Sequence, residues 1–287
     1  MEQKKNSLLQ VHLAVLLFGL SGLFGKLLPQ PALVITLGRV VFSSLALLGL
    51  IRLRRIPLAV GGGRSLAALL ALGAVLALHW CSFYQAIQLS TVAVGLLTFS
   101  SFPIFVTFLE PLFFHRRLLG RDVLLAALTF GGILLVVPLD GGAATLQGAA
   151  WGLVSGLSYA LLGLLNKKFV SRLPAPVISF YEQLAAAVLL LPALLWLRPS
   201  FTAEQVGLLA LLGVVFTALS HTLFISGLRG VRTQTAGIIS SLEPVYGIVF
   251  AALVLGEVPT PRAVAGGLVV LGCAFAASRG GGEEAST

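Results

Sequence analysis

Charge is what this sequence mostly lacks. Only 10% of its 287 residues are charged, and Asp and Glu together number 10. A soluble domain carries about 25% charged residues because water must wet its surface. The composition therefore excludes soluble enzymes, disordered tails and nucleic-acid modules. The net charge of +9 does not restore the last of these, because in so apolar a chain a basic excess marks cytoplasmic loops. Cysteine is also scarce. Cys81 and Cys273 both lie in apolar runs, which leaves no disulfide framework and no metal-ligand spacing. No A-x-A cleavage pattern ends the apolar stretch after Lys4 and Lys5, so it reads as a retained first span. Nor does any segment alternate polar and apolar residues in the manner of barrel strands. H-E-x-x-H, Gly-x-Ser-x-Gly and paired-aspartate elements are missing, which argues against an intramembrane enzyme.

What remains is apolar: 57% of residues are hydrophobic and the mean hydropathy is +1.02. A helix rising 1.5 Å per residue needs roughly 20 apolar residues to cross a hydrocarbon core of about 30 Å. About ten stretches qualify, near 9–28, 31–51, 66–87, 92–114, 122–138, 146–166, 175–197, 204–226, 235–256 and 262–278. Alternate loops then divide the basic residues unequally. One set holds about fifteen, from Lys4 and Lys5 to Arg279; the other holds Arg198, Arg262 and Lys26. The positive-inside rule places the richer set, and both termini, in the cytoplasm.

The chain also repeats itself. FYQAIQLS at 83–90 stands 141 positions before FISGLRGV at 224–231, and the same offset maps Ser100 to Ser241, Pro103 to Pro244 and Arg121 to Arg262. Gly19-Leu20-Ser21 returns as Gly156-Leu157-Ser158, and Pro31 and Arg39 correspond to Pro174 and Glu182. Each half holds five spans, and an odd number makes the second copy enter from the opposite side. The expected fold is an all-α integral membrane protein of ten transmembrane helices, built as two inverted five-helix repeats over 1–143 and 144–287. Such repeats are typical of secondary transporters, with a site near the midplane between the halves.

The second half carries Ser241-Leu242-Glu243-Pro244, Leu255-Gly256-Glu257, Gly266-Gly267 and Gly272, and the first carries Ser100-Ser101-Phe102-Pro103. In these the chain resembles the drug/metabolite transporter superfamily, specifically its EamA-type ten-span members, over essentially its whole length. It departs from the pattern at His115-Arg116, where the family often has Gly-Glu. The resemblance implies cofactor-free export of amino acids, other metabolites or drugs across a bacterial cytoplasmic (inner) membrane. It also brings Ser101 in among the candidate substrate contacts.

Ionisable groups within a membrane need a partner or a wet cavity. By helix rise Arg39 lies roughly 12 Å below the outer surface, while Glu182 and Glu243 lie roughly 10 and 12 Å from the inner one. Arg39 is expected to face a central cavity and pair with one of these carboxylates or with a substrate carboxylate; the alternative is an ion pair that locks helices together. Pro103 and Pro244 are expected to break their helices at matching positions, as hinges or at a binding site. Glu243, beside one break, is a candidate to carry a coupling proton. His79, Trp80 and Tyr84 on the third span, with Tyr159 and Tyr246, would supply aromatic walls for a small amphipathic ligand, unless they belong to the interfacial belt or bond neighbouring helices. His12 and His221 sit nearer the cytoplasmic ends, where snorkelling or a plain hydrogen bond is expected.

The leading expectation is thus a secondary-active exporter of small metabolites, amino acids foremost, working by alternating access. Multidrug efflux is the alternative within transport, and a non-transporting scaffold the one outside it. Its partners would be a small-molecule substrate, the lipid bilayer and protons, with no metal and no nucleic acid.

Overall fold

A computed structural model describes residues 2–114, 120–138, 142–170, 172–227, 239–240 and 242–280. His115, Arg116, Arg229, Arg232 and Ser241 lie outside them. The described residues are helical with no strand. The helices are α1 (Glu2–Ser21), α2 (Phe24–Leu27), α3 (Ala32–Leu53), α4 (Gly63–Leu89), α5 (Val92–Phe99), α6 (Phe102–Phe114) and α7 (Gly120–Val136). They continue with α8 (Gly142–Val170), α9 (Ala175–Leu190), α10 (Ala193–Leu197), α11 (Ala203–Gly213), a π-helical segment (Val214–Leu219), α12 (Ser220–Gly227), α13 (Glu243–Leu255) and α14 (Pro261–Gly280). Seven helical stretches among the described residues are long and apolar enough to cross a membrane. Val123–Val136, Glu243–Leu255 and Pro261–Ala276 are apolar but shorter.

Local chemistry sets the ends. Thr91 breaks the chain between α4 and α5 by accepting from Val94 N at 3.1 Å. Thr202 and Gln205 close a capping box at the start of α11. Pro31 and Pro174 cap α3 and α9, and Gly256 ends α13 at φ +70°, a conformation glycine adopts freely.

Two of the expected spans are built differently from a continuous kinked helix. The fourth is two helices, α5 and α6, divided at Ser100 and Ser101, with Pro103 in the first turn of the second. In the ninth, α13 begins at Glu243 and Pro244 again occupies the first turn. Proline is tolerated there because that N–H has no intrahelical partner to lose. The break expected at Pro244 therefore takes the form of a helix start.

Packing repeats between the halves. Gly73 on α4 faces α9 so closely that a Cβ would stand 2.5 Å from Glu182 O and 3.2 Å from Ala186 N. Gly213 on α11 faces α3 likewise, with 2.8 Å to Arg39 O and 2.9 Å to Ser43 N. Arg39 and Ser43 are 143 positions before Glu182 and Ala186. At the periphery α7 and α14 lie together, with Arg121 Nη2 donating to Ala276 O and Arg262 Nη2 to Leu134 O, each at 2.8 Å. Leu134 is among the last four residues of α7, whose carbonyls have no intrahelical partner.

Gly73→Ala is expected to destabilise the protein by about 1–3 kcal/mol through overpacking of α4 on α9. Gly49→Ala, which has open space around it, is expected to be neutral. Thermal unfolding in detergent checks both, and equal behaviour of the two would contradict the close-approach argument.

Candidate functional site

A cavity of about 230 Å³ lies inside the bundle, lined from both halves of the chain. Arg39 on α3, His79 and Trp80 on α4, Tyr159 on α8, Glu182 on α9 and Glu243 at the start of α13 all border it. So do Asn166 and Ala175, which extends it toward the end of the bundle where α8 runs into α9.

Arg39 is 3% exposed and held on three sides. Its Nε donates to Thr217 Oγ1 at 2.8 Å and its Nη1 to the Tyr84 hydroxyl at 3.0 Å. Its Cζ stands 4.1 Å from the centroid of Trp80, a cation–π contact. Both acceptors are themselves anchored. Thr217 Oγ1 donates to Leu212 O at 2.8 Å and Tyr84 to Ser21 O at 3.4 Å. Thr217 lies in the π-helical segment, a local widening often found at functional positions.

Neither expected carboxylate pairs directly with Arg39. Among the described residues the ion pair observed is Lys26 with Glu257, at 3.9 Å. Glu182 is 5% exposed, with the Asn166 side chain beside its carboxylate. Glu243 opens α13, where a carboxylate meets the positive end of the helix dipole. The cavity thus presents one guanidinium and two carboxylates to its contents rather than to one another.

Aromatic rings form one wall. Tyr159 lies 5.0 Å from His79 and 5.0 Å from Phe102 between ring centroids, and Phe99 lies 5.4 Å from both His79 and Tyr159. His79 Nδ1 is 2.9 Å from Ser155 Oγ and 3.1 Å from Ser155 O, which ties α4 to α8.

Three expected contacts lie elsewhere. Tyr84 is fully buried behind Arg39 and acts on it as an acceptor. Ser101 donates to Thr98 O at 2.7 Å within the α5–α6 break. Tyr246 packs with Val11, Val15 and Ile239. None of the three borders the cavity. His221 does border it, edge-on to Phe18 at 5.1 Å and to Trp80 at 6.2 Å, rather than serving a helix end. Asn166, Gln183 and Thr217 were not among the sequence candidates. Gln183 was accessible to pattern reasoning, since Ala175, Ile178, Ser179, Glu182 and Gln183 follow one helical stripe and all border the cavity.

Thr217→Val is expected to leave Arg39 Nε without its acceptor, at a cost of about 1–3 kcal/mol in unfolding free energy. In an Arg39→Met background the same substitution is expected to cost much less. A double-mutant cycle read by thermal unfolding checks this, and strict additivity would rule out the bond as a stabilising one.

Comparison with known proteins agrees with this architecture. The sequence model of the EamA-like transporter family matches residues 5–137 and again 146–279. An uncharacterized transporter of Archaeoglobus fulgidus is 31% identical over 262 residues, covering 91% of this chain and 92% of its own. A probable amino-acid metabolite efflux pump of Salmonella typhimurium is 26% identical over 172 residues, 55% of this chain and 58% of that one. One solved crystal structure has the same fold, with a TM-score of 0.69 at 16% identity and 98% coverage of both chains. A multi-pass apolar bundle, enclosing a cavity bordered by Arg39, Glu182 and Glu243, is matched over nearly its whole length by a transporter family: the chain belongs to the EamA-like transporter family, and is a transporter of small molecules rather than an enzyme.

Proposed function

We propose that the protein exports a small zwitterionic metabolite, an amino acid foremost, across the cytoplasmic membrane by alternating access. The observation that carries this reading is the opposed charge around one cavity: Arg39 and Glu182 border the same space without pairing with each other. A substrate carboxylate would meet the guanidinium, whose Nη2 makes no hydrogen bond among the described residues, and a substrate ammonium would meet a carboxylate. The volume of about 230 Å³ lies below the roughly 300–1,000 Å³ of drug-sized pockets, which favours a small solute. The Salmonella relative is named for amino-acid metabolite efflux, in keeping with this.

Ten spans arranged as two inverted repeats, 1–143 and 144–287, complete the proposal. The three shorter apolar helices raise seven membrane-length stretches to ten. The family model matches each half separately. The paired contacts Gly73–Glu182 with Gly213–Arg39, and Arg121–Ala276 with Arg262–Leu134, exchange the halves as a two-fold axis would. Basic loops favour cytoplasmic termini. The cavity extends toward the terminal end, as in an inward-facing state. The opposite end is tied across the halves: Lys26 Nζ stands 3.9 Å from Glu257 Oε1, Glu257 accepts from Val92 N at 2.8 Å, and Gln30 Nε2 donates to Ser200 O at 2.7 Å.

Multidrug efflux is a second reading, favoured by the aromatic wall of His79, Phe99 and Tyr159 beside Glu243. Arg39 on the same surface opposes it, since a guanidinium repels the cations such pumps carry. Counterflow in proteoliposomes with labelled amino acids is expected to succeed, and to fall at least tenfold with Arg39→Ala. Glu243, as the proton carrier, predicts that Glu243→Gln abolishes acceleration by an imposed pH gradient. Dye efflux with no amino-acid exchange would overturn the leading reading.

A further inference from the structure

Six buried side-chain atoms among the described residues have no hydrogen-bond partner. Thr36, Ser43 and Thr129 supply three hydroxyls, none of them on residues bordering the cavity. The other three are oxygens of cavity-lining residues at one end of it: Asn166 Oδ1, Glu182 Oε1 and Gln183 Oε1. Each is an acceptor. A buried acceptor left unmade forfeits the hydrogen bond that water would have given it, and such groups in a native structure call for an explanation. Here the explanation common to the three is a bound donor.

We propose that Asn166, Glu182 and Gln183 form the subsite for a primary ammonium group. The inference rests on the export reading above and deepens it, by assigning the substrate's positive end to α8 and α9 rather than to Glu243. An R–NH₃⁺ group has three N–H donors and no acceptor, which matches one anionic and two amide oxygens one for one. Glu182 is 5% and Gln183 1% exposed, and both border the cavity. The Asn166 side chain lies beside the Glu182 carboxylate, and one oxygen of each is without a partner. Ser179, on the same stripe of α9, borders the site, and Leu162 and Tyr159 continue from it along α8 as a surface for the ligand's carbon body. A divalent-metal reading is disfavoured, since no group of three or more His, Cys, Asp or Glu that could hold a metal occurs among the described residues. A quaternary ammonium has no N–H and leaves all three oxygens unmet, so the subsite selects by donors as well as by charge.

The test is calorimetric titration of the full-length protein in lipid nanodiscs with n-butylammonium. Binding is expected, weakened at least tenfold by Glu182→Gln and by Gln183→Leu, and weakened clearly less by Glu243→Gln than by either. Tetramethylammonium is expected neither to bind comparably nor to compete. The Gln183→Leu arm keeps the test decisive if Glu182→Gln does not fold. Tetramethylammonium binding as tightly would mean that charge and aromatic faces suffice, and would overturn the proposal. Displacement by equimolar sodium would overturn it in favour of an alkali-cation site. An equal loss in Glu243→Gln would move the ammonium to that carboxylate. Amino-acid counterflow with no butylammonium binding would sink the subsite and leave the export reading standing. The reverse result would sink the export reading alone.

Discussion

The cost of placing charge inside an apolar bundle organises this structure. An ionised side chain at the centre of a membrane helix costs about 2.5–3.5 kcal/mol on insertion scales, so it persists only with partners or water. Arg39 has two fixed acceptors and an aromatic face, supplied by three other positions, Thr217, Tyr84 and Trp80. Glu182 has Asn166, and Glu243 has the first turn of a helix. Backbone packing serves the same end. At Gly213 and Gly73 a neighbouring helix comes against the backbone of Arg39 and of Glu182 itself. The backbones behind these side chains are fixed by glycine contacts, and the side chains border the cavity.

Helix breaks supply the second element of the site. A proline within a continuous helix would free a carbonyl in a region with no water to satisfy it. Starting the helix at the proline avoids that difficulty, and both Pro103 and Pro244 lie in first turns. The start also turns an amide-rich helix end inward. Glu243 gains from that placement as an acidic residue at a helix N-terminus. The pair Glu243-Pro244 thus serves as a helix-start signal and as a source of cavity charge.

Much of this was legible in the sequence because the membrane enforces simple rules. Apolar length pointed to the membrane-length helices, seven of them among the described residues, and composition confined charge to so few interior positions that Arg39, Glu182 and Glu243 could be named. All three border the cavity, as do His79, Trp80 and Tyr159. What depended on rotation about a helix axis was less accessible. Tyr84 shares a face with Trp80 by spacing, yet it lies behind Arg39 instead of beside the cavity. Tyr246, three residues past Glu243, turns into a different cluster. The π-helical segment shifts register across Val214–Leu219 and brings Thr217 to Arg39, and no residue type there announces it. His221 follows that segment directly, and its place on the cavity could not be judged from an ideal 3.6-residue period.

The repeat carries one further consequence. Arg39 and Glu182 occupy corresponding positions, each with a glycine of the opposing half against its backbone, so the two halves offer the cavity nearly the same scaffold with opposite charge. Identical residues at both positions would repel each other across the cavity and would suit a symmetric ion. Opposite residues, held too far apart to pair, produce a fixed dipole across the space between them. Under the alternating access proposed, a zwitterion aligned with that dipole would keep both contacts as the halves rock, because each contact would belong to one half. Its orientation would then be set by the protein throughout the transport cycle, and molecules carrying a single charge would satisfy one half only. In the proposed inverted repeat, selectivity for zwitterions would therefore arise from an equivalent pair, on the cavity, at which the two copies differ in sign.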